Sequence, residues 1–382
     1  MPGPPSRVGQ TPPVAAPSVV IAAGGTGGHI YPGLALAEAV RAAAPDARIA
    51  FVGTRRGLEG ELIPKAGYEL HLVDMVPFTG TGRVLLPAAL VRAGLQSRTL
   101  LKRLGAGVAV GMGGYASIPL IAGARLAGVP SLIHESGAVP GRANLVAARL
   151  TKHVATAFEA AEASFPRSTT VRTVGMPLGP GLAGFDREAL RAEARAAFDL
   201  DDTTTFVLVS GGSQGAQSLN QLALGLADRW VDRDDVRILL KAGARQHEAV
   251  AAELDGHPGA KRVELTRFIE RMDHAYAAAD VGVFRAGAGT VAELAVVELP
   301  SVLVPYPHAP LDHQTVNART LADVGGALLI RDSEATADRV GPLLEERLAS
   351  PSALADMRAA LRSVARPRAA EELAAWALEL AQ

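Results

Sequence analysis

Residues 280–318 read DVGVFRAGAGTVAELAVVELPSVLVPYPHAPLDHQTVNA, and the fold is decided there. Val281, Val283 and Phe284 belong to a short apolar strand, and Gly287 and Gly289 to a tight turn. A helix follows, with Thr290 placed to cap it and Glu293 expected in its first turn. Residues 301–305 form a second buried strand, after which a proline-bounded loop carries His308, Asp312, His313, Gln314 and Asn317. Strand, glycine turn, helix and strand in this order is the unit of a parallel α/β sheet. Ligands bind such sheets at the carboxyl ends of the strands, and the unpaired amides of a helix start receive an anion.

The same unit recurs on either side. Residues 19–23, VVIAA, run as a buried strand into Gly24, Gly25, Thr26, Gly27, Gly28 and His29, and a helix follows. Further strands are expected near residues 48–52, 70–73, 108–110 and 131–134, with two more short ones before Val174. Helices are expected near 58–63, 87–104, 118–126 and 143–150. This gives a first domain over residues 18–176. Residues 177–184, PLGPGLAG, cannot continue a helix and read as a hinge. A second domain over 185–366 opens with a helix near 187–198 and a strand at 205–209 that enters Gly211, Gly212, Ser213, Gln214 and Gly215. Strands near 237–240, 263–266 and 327–330 complete it, and the alanine-rich helix within 367–382 is expected to pack back on the first domain. The predicted fold class is α/β: two facing Rossmann-like domains with a cleft between them.

A chain of 382 residues is long enough for two such cores. Its 38 basic and 39 acidic residues are balanced, so the total charge gives no reason to expect a nucleic-acid partner. With no cysteine, disulfides, thiolate metal sites and a cysteine nucleophile are excluded. Residues 1–17 are proline-rich without a charged start and apolar core, and read as a disordered leader. No uninterrupted apolar run has transmembrane length.

Glycine lets main chain approach a ligand closely, and the helix behind each loop aims free N–H groups at an anion such as a diphosphate. A single loop of this kind is as often a plain strand-to-helix turn; two in matching positions favour a ligand. Neither loop is followed by the Gly-Lys-Ser/Thr of a nucleotide hydrolase, and neither spacing is a good dinucleotide fingerprint.

Six motifs now stand in order: GGTGGHIYPG (24–33), GMGGYASIP (111–119), HES with PGRAN (134–144), GGSQGA (211–216), RAGAGTVAE (285–293) and DHQTVNA (312–318). Together they resemble the MurG family over nearly the whole chain after the leader. The resemblance implies a GT-B fold and an inverting transferase that moves N-acetylglucosamine from UDP-N-acetylglucosamine to the muramyl 4-hydroxyl of lipid I, giving lipid II. No cofactor or metal is implied. By the same resemblance Ser213, Gln214 and Gly215 hold the UDP phosphates, Glu293 accepts from the ribose and Gln314 reads sugar hydroxyls, with Gly287 and Thr290 also on the donor side. Without the motif, Glu293 reads as an acid serving the helix dipole. Thr26, Gly27 and Gly28 face the acceptor diphosphate, with His134, Glu135 and Asn144 also on the acceptor side.

The reaction needs a base for the attacking hydroxyl and donors for the leaving diphosphate. His29 has a suitable intrinsic pKa and lies in the acceptor-side loop; His134 and Glu135 are its rivals, and a phosphate-binding role is its bland alternative. Two departures from the family pattern stand out. Ser136 and Gly137 replace the Gln-Asn that usually follows His-Glu, and Gly175-Met176-Pro177-Leu178-Gly179 replaces a motif that usually ends in arginine. A lipid acceptor implies a peripheral place on the cytoplasmic face of a membrane. Residues 83–103, basic and apolar with no acid, suit an anionic lipid surface, and equally suit an amphipathic helix packed on a sheet. Two alternatives remain at this stage: a GT-B relative with another donor or acceptor, and a non-catalytic binder of sugar nucleotides or lipid-linked precursors.

Overall fold

The computed structural model describes residues 16–54, 57–74, 86–212 and 214–382. The expected leader, but for its last two residues, and Ser213 lie outside these, as do residues 83–85 of the basic apolar stretch.

In chain order the first domain is β1 (Ser18–Ala22), α1 (Gly27–Ala43), β2 (Arg48–Gly53), α2 (Glu59–Lys65), β3 (Glu69–Leu72), α3 (Leu86–Leu104), β4 (Val108–Gly111), α4 (Ser117–Ala127), β5 (Ser131–Glu135), α5 (Arg142–Ala147), β6 (His153–Thr156) and β7 (Thr170–Thr173). The linker holds one short helix, α6 (Pro180–Ala183). Its prolines do bar continuation of an earlier helix, yet Pro180 opens a new turn at a first helical position, where its missing N–H costs nothing. The second domain is α7 (Arg187–Ala197), β8 (Thr205–Ser210), α8 (Gln217–Arg229), β9 (Val236–Lys241), α9 (His247–Leu254), β10 (Val263–Thr266), α10 (Met272–Ala278), β11 (Val281–Phe284), α11 (Ala288–Val296), β12 (Ser301–Leu303), α12 (His313–Ala322), β13 (Ala327–Leu329), α13 (Ala337–Leu348) and α14 (Pro351–Val364). The last helix, α15 (Ala369–Leu380), follows.

Every pairing in both sheets is parallel. The orders are β3-β2-β1-β4-β5-β6-β7 and β10-β9-β8-β11-β12-β13, so each sheet reverses direction between its first and fourth strands. The glycine loops leave β1 and β4 in one sheet, and β8 and β11 in the other, at these switch points. That is where a ligand crevice opens.

Strand periodicity divides the cores. Val19 and Ile21 of β1 face the core shared with α1, while Val20 and Ala22 face the opposite core. Val207 and Val209 of β8 likewise oppose Phe206 and Leu208. The last helix leaves the second domain and lies on α1 in the first, burying Leu373, Ala374, Trp376 and Ala377 beside Ile30 and Leu36. Arg172 stacks 4.4 Å above the Trp376 ring and His153 meets it edge-on at 5.8 Å.

In α7, Arg187, Arg191 and Arg195 share one face at four-residue spacing and cap the carbonyl end of α10. Arg187 donates to Tyr276 O at 3.0 Å, and Arg191 to Ala277 O at 3.0 Å and Ala278 O at 3.2 Å. Asp280 accepts from Arg191 at 2.6 Å and offsets part of the cluster's charge. The ladder fixes the end of α10 from which Tyr276 enters the site below.

Candidate active site

The helix α1 begins at Gly27, so Thr26 is its N-cap and Gly27, Gly28 and His29 form its first turn. The Thr26 side chain makes no capping bond, and the 17-residue helix presents the Gly27 and Gly28 amides with no partner in the helix. His29 is half-buried, and its Nδ1 lies 3.3 Å from Gly24 O. A carbonyl oxygen only accepts, so Nδ1 carries the proton and Nε2 keeps the lone pair. Nε2 hydrogen-bonds none of the described residues. Burial lowers the pKa of His29, with the Gly24 bond opposing it, which keeps the ring neutral.

The second motif is explained by this ring. Gly113 has φ +96°, and a Cβ there would stand 2.7 Å from His29 Cδ2 and 2.9 Å from Nε2. Ser117 Oγ accepts from Gly113 N at 3.0 Å and donates to Gly113 O at 2.7 Å, locking the loop under the imidazole.

His134, Glu135 and Asn144 are all buried and bound to protein. His134 Nε2 donates to Gly175 O at 2.9 Å, and Ser136 Oγ lies 3.4 Å from its Nδ1. Burial lowers its pKa to about 4, the Gly175 bond opposing and the nearby His29 adding. The Glu135 carboxylate accepts from Gly137 N at 2.8 Å, Gly141 N at 3.0 Å and Asn144 Nδ2 at 2.9 Å. Burial raises its pKa despite these bonds. Asn144 Nδ2 also donates to His134 O at 3.0 Å, while its Oδ1 is buried without a partner. Of the two imidazoles, only that of His29 keeps an accepting nitrogen without a partner among the described residues, and both oxygens of the Glu135 carboxylate are engaged.

In the second domain, Gln214 is exposed and Gly215 has φ +78°. A Cβ on Gly215 would fall 2.0 Å from Ala242 O, so the loop needs glycine to lie main chain on main chain against the end of β9. Behind it, α8 starts without a side-chain cap.

Two details of residues 280–318 are corrected. Gly287, not Thr290, is the N-cap of α11, and Thr290 is the third residue inside it. The first-turn amides are thus left for a ligand, because no side chain takes them. Glu293 sits in the second turn, beyond the reach of a dipole role, and accepts from Tyr276 Oη at 2.7 Å. Burial raises the Glu293 pKa, with Tyr276 and the charge of Lys241 opposing. Burial in turn lowers that of Lys241, whose Nζ lies 5.7 Å from the centre of the exposed Phe268 ring. Tyr276 and Lys241 were missed in the sequence because they lie outside its motifs. Their one signal was position: a polar group at the end of β9, and a phenol in the helix leading into β11.

Arg285 ties the start of this loop down, donating to Val304 O and Pro305 O at 3.1 Å each and to Asp332 at 2.5 Å. Gln314 Oε1 accepts from Tyr306 N at 2.9 Å. Just before it, Leu311 (φ 55°) and Asp312 (φ 51°) both occupy the left-handed region, an uncommon strain for residues with side chains.

The fully buried Asn317 joins the domains. Its Nδ2 donates to Ala286 O at 3.1 Å, and its Oδ1 accepts from Ala138 N at 3.0 Å. Ala138 follows β5 and Ala286 follows β11, so the carboxyl edges of the two sheets meet here. Among the described residues no three His, Asp or Glu side chains converge to hold a metal ion.

The chain matches two family models: glycosyltransferase family 28 N-terminal domain over residues 19–156, and glycosyltransferase family 28 C-terminal domain over 206–373. It is 42% identical over 371 residues to a UDP-N-acetylglucosamine–N-acetylmuramyl-(pentapeptide) pyrophosphoryl-undecaprenol N-acetylglucosamine transferase of Saccharopolyspora erythraea, covering 96% of this chain and 95% of that one. A Salinibacter ruber protein of the same name is 39% identical over 374 residues, covering 96% and 97%. Among solved structures, Acinetobacter baumannii MurG is 30% identical with a TM-score of 0.75, covering 95% of this chain and 99% of that one.

Proposed function

The chain belongs to the MurG group of glycosyltransferase family 28, and on that premise we propose that it transfers N-acetylglucosamine from UDP-N-acetylglucosamine to lipid I, forming lipid II. The attacking group is the muramyl 4-hydroxyl and the anomeric carbon is inverted. The observation that carries the catalytic assignment is the state of His29: neutral, Nδ1 held by Gly24 O, and Nε2 open. Nε2 takes the proton of the hydroxyl as its oxygen bonds to the anomeric carbon, and the bond to UDP breaks in the same displacement.

Thr26, Gly27 and Gly28 receive the acceptor diphosphate at the start of α1. Ser213, Gln214 and Gly215, with Gly287 and Thr290 at the start of α11, stabilise the charge growing on UDP. Glu293, oriented by Tyr276, accepts from the ribose, and Gln314 has its amide nitrogen left for the sugar. His134, Glu135 and Asn144 serve the acceptor side by fixing the loop after β5, with the orphan Asn144 Oδ1 as their one spare acceptor.

The acceptor's lipid calls for a membrane surface, and α3 supports one. It carries Arg92, Arg98, Lys102 and Arg103 and no acid, and leaves Val91 and Leu95 exposed. No helix among the described residues is long and apolar enough to cross a membrane. The place proposed is peripheral, on the cytoplasmic face.

Transfer of labelled N-acetylglucosamine to a short-chain lipid I analogue, with UDP release followed in parallel, tests the function. Stoichiometric product and UDP are expected. UDP release without acceptor product points to another acceptor, and binding of UDP-N-acetylglucosamine without either product rejects the reading. Sedimentation with anionic vesicles at low salt tests the surface; a protein left in the supernatant removes it.

A further inference from the structure

The Gly24–Gly25 peptide is held at both ends. Its carbonyl accepts from His29 Nδ1 at 3.3 Å, and its N–H donates to Glu59 Oε2 at 3.0 Å. Glu59, the first residue of α2, is fully buried, and its Oε1 accepts from Thr54 N at 2.9 Å and Thr54 Oγ1 at 2.8 Å. Three glycines make room for this carboxyl group. A Cβ on Gly24 would stand 2.8 Å from Oε1, one on Gly57 1.8 Å from Oε2, and one on Gly53 2.7 Å from Cγ. Neither Glu59 nor Thr54 is among the residues assigned to the donor or the acceptor.

We propose that Glu59 is the positioning residue for His29, acting through the single peptide plane between Gly24 and Gly25. A peptide unit is rigid, so fixing its N–H fixes the direction of its carbonyl. The carboxylate anchors the N–H, the carbonyl points at the imidazole, and the proton is kept on Nδ1. Hydrogen bonds in series polarise one another, so a negative charge at the far end makes the Gly24 oxygen a better acceptor. The result is the service a carboxylate renders a catalytic histidine by direct contact, here relayed through main chain. Burial pushes the Glu59 carboxyl up, but the Gly25 and Thr54 amides and the Thr54 hydroxyl outweigh it and hold the group ionised. A second consequence is that the Gly25 amide faces backward, leaving the acceptor diphosphate to Gly27 and Gly28.

The inference rests on His29 as the base. It is tested by the tautomer of His29, read from ¹⁵N-labelled histidine by long-range proton–nitrogen correlation, with the His29→Gln spectrum giving the assignment. The wild-type ring is expected as the Nδ1–H form; finding Nε2–H overturns the proposal with no variant needed. In Glu59→Gln the carboxamide must turn its NH₂ toward either the Gly25 or the Thr54 N–H, so one anchor fails. The Nε2–H form is then expected to appear and kcat to fall roughly 10- to 100-fold, with the UDP-N-acetylglucosamine Kd unchanged within about twofold. An unchanged tautomer, or equal losses in both binding and turnover, makes Glu59 a structural staple only. His29→Ala separates the two claims. If it abolishes transfer while Glu59→Gln leaves the tautomer alone, only the relay fails; if it transfers normally, the base assignment fails and the relay with it.

Discussion

The first glycine loop, residues 24–29, is backed by the buried Glu59 carboxylate and ends in an imidazole; the second, 211–216, is backed by the main chain of Ala242 and Gly243 and has no titratable group. Both leave the first strand of a parallel sheet at its switch point and both lead into a helix. On the roles proposed for the two loops, the difference follows from what each has to do. Removing a proton needs a group with a tunable pKa in a fixed orientation, and charged second partners supply that. Stabilising a leaving diphosphate needs fixed amides and a helix dipole, and rigid main-chain packing supplies those.

The largest expected effect falls on the first loop. His29→Ala is expected to lower kcat by about 10²- to 10⁴-fold while leaving UDP-N-acetylglucosamine affinity in place, as measured by steady-state kinetics beside calorimetric titration. Near-normal turnover would erase the asymmetry between the loops. On the second loop, Gly215→Ala forces a methyl against Ala242 O at a φ of +78°. A cost of about 4 kcal/mol in denaturant unfolding is expected, with donor binding lost. Gly28→Ala is the control, since its methyl meets only Thr26 Oγ1 at 3.7 Å, and stability is expected to stay within about 1 kcal/mol.

Acid is expected to act mainly on the first domain. The folded-state pKa of His134, about 4, lies below the 6.5 of the unfolded chain, so between these values the unfolded state binds more protons. Stability from this group is full above pH 6.5 and is lost as pH falls toward 4, by roughly 3 kcal/mol. Urea unfolding across this range should flatten in His134→Gln relative to the wild type; parallel curves would show that burial of His134 is not the source. The smallest effect is expected at Tyr276→Phe, which removes the donor to Glu293. A donor KM raised by about 3- to 10-fold with little change in kcat is expected, and an unchanged KM would separate Glu293 from the ribose.

The parallel sheets were legible because their strands are short apolar runs that lead into glycine turns, as in residues 19–23 and 281–284. The helix after β11 was legible too, but not the detail of its start. Thr290 looked like a cap because threonine favours that role, whereas the Gly287 backbone already turns there and leaves the amides free. Contacts between distant segments left no local signal. Glu59 read only as part of a helix, 34 residues from the Gly25 amide it holds, and Asn317 lies 179 residues from Ala138. His134 and Glu135 were correctly marked as residues at a strand end, but whether their polar atoms are open or spent on neighbours depends on a fold that periodicity does not describe.

The most direct test of the chemistry assigned to the two loops is the anomeric configuration of the disaccharide product, read from its H1–H2 coupling by proton NMR. The donor sugar is α-linked to UDP, and one displacement with His29 as base and UDP held on the far side gives a β-linked N-acetylglucosamine on the muramyl 4-oxygen. An α-linked product would contradict a single displacement and, with it, the roles assigned to both loops.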